Sequence, residues 1–339
     1  MSKRRILAGL LSVVMIVASF SFGAYAVPSN TSFSSATTLT STVGDQLTVT
    51  GLSSGQSQWF RIYANAGDWI YPCIYGISTG EDWDLGLYTS SNSQITYSAN
   101  SGNNIEYIGY TVPSSGYYYF KVNAWSVGST SSSCYFKVVH SCGVSGTGST
   151  NSDYVRSDAK SYMDLYWNSY NSAYANLTDN GGDCTNYVSQ ILRHGGMAKR
   201  GNASSRDAIT SWFMDTNISS YTTANYSATW TGANSFTNHW GTNSMGSGNE
   251  RAYSCKYYIG KDVVNNFSTI KSSLRVGDIV QFTDNAMTSR YHSLAVYSIG
   301  SDDVLLSAHT YNTNSMSLKS FATANPTMMI VVIQIKSGN

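Results

Sequence analysis

Short runs of alternating apolar and polar residues fill the first half of the chain. Between residues 33 and 139, Tyr, Val, Ile and Trp recur with a period of two, and the turn sequences AGD, SSNS and SSG interrupt them. Such runs are QLTVTGL, QWFRIYANAGDWIYPCIY, WDLGLYTSSNSQITYSA, EYIGYTVPSSGYYYFKVNAW and CYFKVV. This pattern is typical of half-buried strands. It predicts an all-β sandwich that contains no α-helix.

The hydrophobic period changes after residue 152. Apolar residues at helical spacing predict a first amphipathic helix, and these are Val155, Ala159, Tyr162 and Tyr166. A second helix is predicted to begin near Asp183, as its N-cap, and to stop at Gly195-Gly196. The later segments GDIVQF, HSLAVYSI, DVLLSAHTY and MMIVVIQIK predict strands. Helices followed by antiparallel strands predict an α+β domain.

Between the two patterns lies HSCGVSGTGSTNSD, residues 140 to 153, which offers little that could pack. We therefore predict a sandwich over residues 27–140, a Gly/Ser-rich linker over 141–152 and an α+β domain over 153–339. A linker of this composition behaves as a flexible chain. The two domains are accordingly expected to move with some independence.

The chain begins with the features of a secretory signal peptide. Lys3, Arg4 and Arg5 precede an apolar run, and the small-residue sequence Ala24-Tyr25-Ala26 follows it. The apolar run is too short to cross a bilayer comfortably. We predict a cleaved leader over residues 1–26, a secreted extracellular protein and no membrane span after cleavage.

Charge and composition narrow the class of partner. Loss of the three basic leader residues leaves 17 basic against 19 acidic ones, a net charge of −2 with His neutral. This balance argues against a nucleic-acid partner. Because only 12% of all residues are charged, the surface is expected to be polar but mostly uncharged, as suits a protein at the cell wall. The sequence does not determine the oligomeric state.

The chain has five cysteines, at positions 73, 134, 142, 184 and 255. In an oxidising compartment this odd number leaves at least one thiol unpaired in a monomer. If Cys184 is that thiol, the other four can form up to two disulfide bonds in three different pairings, or stay reduced.

Cys184 lies in GGDCTNYVSQ and has two interpretations. Its position on the apolar stripe of Tyr187, Val188 and Ile191 favours core packing. Its position in the first helical turn favours chemistry, because N–H groups and the helix dipole there stabilise a thiolate. The neighbouring Asp183 disfavours a thiolate unless its oxygens turn back to cap the helix.

A nucleophilic cysteine needs a base, and two histidines on predicted strands are candidates. His292 opens HSLAVYSI on the face shared by Leu294 and Val296. His309 ends the following strand, where it is expected to hold the second imidazole nitrogen of His292. Two further histidines, His194 and His239, are expected to be structural.

The chain also contains segments that resemble two known families. QWFRIYANAGD, DLGLYTSSNSQI and PSSGYYYFKV resemble the bacterial pre-peptidase C-terminal domain, which implies a non-catalytic, jelly-roll-like accessory module. The segments DCTNYVSQ, LRVGDIVQF, YHSLAVY and DVLLSAHT resemble the putative amidase domain of secreted bacterial proteins. That resemblance implies a papain-like fold with Cys184 as nucleophile and His292 as base. It also implies a third polar residue on the strand after His292, and we assign that position to His309, with Asn312 as the alternative orienting residue.

The combined hypothesis is a cysteine amidase that cleaves a peptide or amide bond through a thioester, with peptidoglycan as the expected substrate and no cofactor. One alternative passes the acyl group to an amine, as transglutaminases do. Another is a non-catalytic wall-binding or glycan-binding protein. Metal alternatives are zinc at Cys184, His292 and His309, which no motif spacing supports, and calcium at Asp82 and Asp84.

Overall fold

The structure is a computed structural model, and it describes residues 28–40, 46–141, 153–180, 182–241, 251–283 and 290–337. The predicted signal peptide and residues 142–152 of the predicted linker lie outside these ranges. Among the helices within them, none has the length and apolar character needed to cross a bilayer.

The first half is a two-sheet sandwich, as predicted. Its strands are β1 (Thr37–Thr38), β2 (Leu47–Thr50), β3 (Ser57–Ala64), β4 (Trp69–Tyr75), β5 (Asp82–Tyr88), β6 (Gln94–Ser98), β7 (Glu106–Tyr107), β8 (Tyr110–Thr111), β9 (Gly116–Ser126) and β10 (Ser133–Ser141). One sheet has the order β1-β3-β9-β5-β6, and the other has the order β2-β10-β4-β7, with β8 also paired to β4. The described part of this half contains no α-helix.

Alternation along the strands creates the sandwich core. Phe120 and Val122 of β9 are fully buried, while Lys121 between them faces outward. They pack in one apolar cluster with Phe136 and Val138 from β10 of the opposite sheet. Burial of one strand face from each sheet is the arrangement that a period of two specifies.

The second half contains seven α-helices and one sheet among its described residues. The helices are α1 (Arg156–Tyr166), α2 (Cys184–His194), α3 (Ala228–Thr231), α4 (Ala233–Trp240), α5 (Gly260–Asn265), α6 (Phe267–Ser273) and α7 (Leu318–Ala324). The strands are β11 (Ala252–Ile259), β12 (Ile279–Thr283), β13 (Arg290–Ile299), β14 (Val304–Ala308), β15 (Thr313–Ser317) and β16 (Met329–Ile335). They pair antiparallel in the order β11-β16-β12-β13-β14-β15.

Both faces of this sheet are covered by helices. Ile279, Ala295 and Ile333 pack in a cluster with residues of α1 to α4. The alternate residues, such as Val280 and Leu294, pack in a second cluster with residues of α5 to α7. The α+β prediction is therefore confirmed, and a papain-like arrangement stays a prediction.

The elements whose prediction rested on a short stretch of sequence agree with the structure. The first two helices and strands β12, β13 and β16 lie where they were predicted. Helices α3 and α4 are separated at Gly232. His309 was predicted on a strand, but β14 ends at Ala308 and His309 begins the following turn.

The two halves pack against each other, contrary to the expected independence. Trp69 Nε1 in β4 donates to the carbonyl of Tyr257 in β11 (3.1 Å). Tyr71 donates its hydroxyl hydrogen to Asp262 Oδ2 (2.7 Å) and accepts from the N–H of Ile259 (3.2 Å). Tyr71 is fully buried and belongs to the same apolar cluster as Tyr257. The prediction of independence failed because it considered only the linker and not the aromatic faces of the strands.

Candidate active site

Cys184 is the first residue of helix α2, with Asp183 at the N-cap, as predicted. The residue is 8% exposed, and its Sγ lies 3.8 Å from Thr185 Oγ1. Its backbone is one of the first-turn positions whose N–H groups have no acceptor within the helix. The thiol thus lies beside the positive end of the α2 dipole.

Helix α2 is buried on all sides, not only along its apolar stripe. Every residue from Cys184 to Leu192 is buried, including four polar residues. Each of these has a partner: Thr185 Oγ1 lies 2.8 Å from Ser293 Oγ, Asn186 Nδ2 donates to the Ala175 carbonyl, Ser189 Oγ donates to the Trp230 carbonyl, and Gln190 Oε1 accepts from Tyr162. The helix is therefore a fixed support for its first residue.

Asp183 does not cap the helix with its side chain, although it occupies the N-cap position. Its Oδ1 accepts from the Leu177 N–H (2.9 Å) and from Asn186 Nδ2 (2.7 Å). Its Oδ2 lies 2.7 Å from His309 Nδ1. The carboxyl group is fully buried, so its partners alone determine its effect on the neighbouring thiol.

His309 is the partner of Asp183 and not of His292. Its Nε2 lies 2.7 Å from the Tyr166 carbonyl, and its ring stacks on Tyr187 with 3.8 Å between centroids. The predicted bond to His292 is not formed, because both ring nitrogens already face other acceptors. The prediction failed because sequence alone could not reveal the acceptors that the α1 and α2 segments supply.

The Asp183–His309 pair has no net charge. A carbonyl oxygen only accepts, so Nε2 of His309 carries a hydrogen that points to Tyr166. One further proton is shared between Nδ1 and Asp183 Oδ2, and on either atom it leaves the pair neutral. The carboxylate that the sequence placed beside Cys184 is thereby compensated, by a histidine and not by helix N–H groups.

His292 is the third residue of β13 and pairs with Phe282 of β12. It is 6% exposed, and burial lowers its pKa to about 4. Its Nε2 is buried and has no hydrogen-bond partner among the described residues. A buried polar atom without a partner is costly and requires a reason. At neutral pH this ring is uncharged, which is the form that accepts a proton.

Cys184 and His292 are not hydrogen bonded to each other within the described ranges. The residues that follow them, Thr185 and Ser293, are in contact at 2.8 Å. Ser293 faces α2, so His292 points to the other face, near Phe282 and Tyr311. A register irregularity in the β12–β13 pairing lies directly beside His292.

The turn that follows β14 contacts both the residue before Cys184 and His292. The sequence did not indicate this role. Thr310 Oγ1 accepts from the backbone N–H of Asp183 (3.2 Å). Thr310 has φ +83°, a left-handed conformation that is strained for a β-branched residue. The next residue, Tyr311, places its ring centroid 6.4 Å from that of His292. Asn312, the alternative orienting residue, is exposed in the same turn.

His239 and Asp84 have structural partners. Buried His239 has its Nδ1 2.7 Å from the Ile209 carbonyl, and burial lowers its pKa to about 3. Asp84 pairs with Asn123 Nδ2 at 3.3 Å. Within the described ranges, no group of three or more His, Cys, Asp or Glu residues is arranged to hold a metal ion. Cys73, Cys134 and Cys184 are buried thiols, and Cys142 lies outside the described residues.

Comparison with known proteins identifies the family to which the second half belongs. Residues 153–333, more than half of the chain, match the sequence profile of the family described as "Putative amidase domain". Among curated proteins, none matches the chain significantly in sequence.

Two solved structures have matches that cover about a third of the chain. One is the pre-peptidase C-terminal domain of collagenase from Bacillus anthracis, with 12% identity, a TM-score of 0.25 and coverage of 31% of this chain and 93% of that one. Another is PliG, a periplasmic inhibitor of g-type lysozyme from Aeromonas hydrophila, with 13% identity, a TM-score of 0.25 and coverage of 31% and 95%.

Proposed function

Because the chain belongs to the putative amidase domain family, we propose that it is a cysteine amidase that uses Cys184 as nucleophile and His292 as base. The observation that carries this proposal is the setting of Cys184. Its thiol begins a buried helix, and the acid beside it is neutralised by His309. A buried cysteine with a purely structural role would need neither feature.

The reaction proceeds in two acyl-transfer steps. The Cys184 thiol gives its proton to the unpartnered Nε2 of His292, and the thiolate attacks the substrate carbonyl carbon. First-turn N–H groups of α2 stabilise the oxyanion. As the C–N bond breaks, the leaving nitrogen takes the proton from His292. Water, deprotonated by His292, then cleaves the thioester and restores the thiol.

Catalysis by this route requires His292 to approach Cys184 more closely than its position on the opposite sheet face allows. Catalytic hydrogen bonds are often longer in the free enzyme and shorten when substrate binds. His292 lies next to the irregular β12–β13 pairing, where the strand offers more conformational freedom than a regular ladder. A local rearrangement of the β13 backbone at this irregularity, together with Tyr311, is the movement that we propose for substrate binding.

The proposed substrate is an amide bond of the cell wall, and the proposed location is outside the cell. The support is the leader-like segment of residues 1–26 and the family resemblance. Purified Gram-positive cell walls, incubated with the mature protein, are expected to release soluble fragments detectable by mass spectrometry. The Cys184→Ala and His292→Ala variants should release none, and their melting temperatures should stay close to that of the parent.

The same experiment separates the alternatives. Added amine that appears covalently in the products would indicate acyl transfer to an amine in place of hydrolysis. Equal fragment release by the parent and Cys184→Ala would reject Cys184 as the nucleophile. A large fall in the melting temperature of Cys184→Ala would assign the residue to the core.

A further inference from the structure

The outer face of the first sandwich sheet contains a groove that the amidase proposal does not use. Strands β9, β5 and β6 are neighbours in this sheet. Gly86 of β5 lies at its centre, opposite Lys121 of β9 on one side and Tyr97 of β6 on the other. Because the central residue has no side chain, the Tyr88 ring lies over it, and the two neighbours border this floor. The cavity has a volume of about 350 Å³.

Two exposed aromatic rings border this groove. Trp125 and Tyr97 are each 64% exposed, and both line the cavity. Large aromatic side chains at such exposure expose apolar surface to water without a gain in folding stability. A flat ring presents a face of negative potential, which attracts the C–H groups of a ligand lying parallel to it.

The groove floor presents hydrogen-bonding groups of both charge signs. Asp84 and Asn123 face each other across β5 and β9, joined by a 3.3 Å hydrogen bond. Tyr88 crosses the floor above Gly86 and donates to Gln94 Oε1 (2.8 Å). Lys121 lines the same cavity, so one cation offsets the one acid. This balance favours an uncharged ligand over a phosphate or a basic peptide.

We propose that this groove binds a neutral glycan. A pyranose ring has apolar C–H faces that can stack on Trp125 and Tyr97, and its hydroxyl groups both donate and accept hydrogen bonds. Asp84, Asn123, Gln94 and Lys121 supply the complementary donors and acceptors. The cavity volume falls in the range of about 300–1,000 Å³ typical of small-molecule sites. This site is independent of the amidase proposal.

The test is isothermal titration calorimetry on the mature Cys184→Ala protein, so that neither hydrolysis nor failure of the amidase proposal affects the result. The probes are soluble hexasaccharides of N-acetylglucosamine and of glucose. We expect saturable binding of at least one of them. Trp125→Ala and Tyr97→Ala should each weaken it at least tenfold. Tyr63→Ala, which removes a 50% exposed aromatic ring outside the groove, should leave it unchanged.

Two results would overturn the proposal. One is the absence of heat from both hexasaccharides at millimolar concentration. The other is binding that Trp125→Ala and Tyr97→Ala leave intact, because the ligand would then lie elsewhere. A gelatin peptide serves as the competing probe, and its binding in the groove without any response to sugars would assign the surface to protein recognition instead.

Discussion

The charge beside Cys184 is controlled by two buried side chains. Asp183 and His309 are each at most 1% exposed, and their hydrogen bond joins positions 126 residues apart. The identity of each residue was visible in the sequence, but the contact was not, because a local pattern assigns Asp183 to its own helix. A pair this far apart in the chain forms only when the turn after β14 packs against the start of helix α2.

Removal of His309 should leave a buried, uncompensated carboxylate. We expect His309→Ala to lose about 3–5 kcal/mol of unfolding free energy in urea denaturation. The double variant Asp183→Asn with His309→Ala should recover part of this loss, because it carries no buried charge. Parent-like stability of His309→Ala would show that His309 does not compensate the charge of Asp183.

The pKa of His292 predicts how stability depends on pH. Its folded value is about 4, below the value of about 6.5 expected in the unfolded chain. The unfolded state therefore binds the proton more tightly, and the stabilising contribution is complete above pH 6.5 and is lost as pH falls toward 4. Between pH 7.5 and 5, the parent should lose about 2 kcal/mol more than His292→Asn. Equal losses in urea unfolding would contradict this assignment.

The reactivity of Cys184 can be compared with that of Cys73 and Cys134 in the same molecule. Burial raises the pKa of Cys73 to about 12 and also raises that of Cys134. These two thiols should remain unmodified by iodoacetamide near neutral pH. We expect Cys184 to be alkylated much faster, as measured by peptide mapping with mass spectrometry. Slow alkylation of Cys184 would favour the binding-protein alternative.

At the scale of elements, helix α2 and its ends were the most predictable part of the site. The Gly pair that was predicted to end the helix does so for a steric reason. Gly196 has φ +107°, and a Cβ there would lie 1.8 Å from the Asp153 carbonyl oxygen. The β13 strand was less predictable, because its start at Arg290 and the irregular pairing beside His292 depend on its partner β12.

A side-chain methyl group at position 196, where helix α2 ends, should lower the free energy of unfolding. Gly196→Ala is expected to lose at least about 2 kcal/mol of unfolding free energy, through its left-handed conformation and the clash with backbone. Gly300→Ala is the matched control, because the nearest atom to its new Cβ would be 3.7 Å away, and it should change stability by less than about 0.5 kcal/mol. Equal stability of the two variants would contradict the steric account.

At the scale of the whole molecule, sequence correctly divided the chain into two structural classes but missed their contact. The strand pattern indicates which face of β4 is apolar, not what covers it. The structure places Tyr71 of that strand against Asp262, and Trp69 against Tyr257. Trp69 and Tyr71 are aromatic residues that the sequence pattern assigned to the sandwich alone.

This contact predicts that the two halves unfold together. Calorimetry of the mature protein should give a single transition. The double variant Trp69→Ala with Tyr71→Phe should separate it into two, because it removes the hydrogen bond from Trp69 and the two hydrogen bonds of the Tyr71 hydroxyl across the interface. Tyr63→Ala should retain one transition. Two separate transitions in the parent would mean that the interface contributes too little to couple the halves.

The packed interface also has a consequence for how a polymer would be processed. A module on a loose tether lets its enzyme sample many positions along a bound strand, whereas a module fixed by β4 and β11 holds one spacing. With a glycan held in the sandwich groove, the fixed distance between that groove and the amidase site would set the length of the released fragments. Fragments released from a regular polymer would then show a narrow length distribution, and loosening the Tyr71 contact would broaden it.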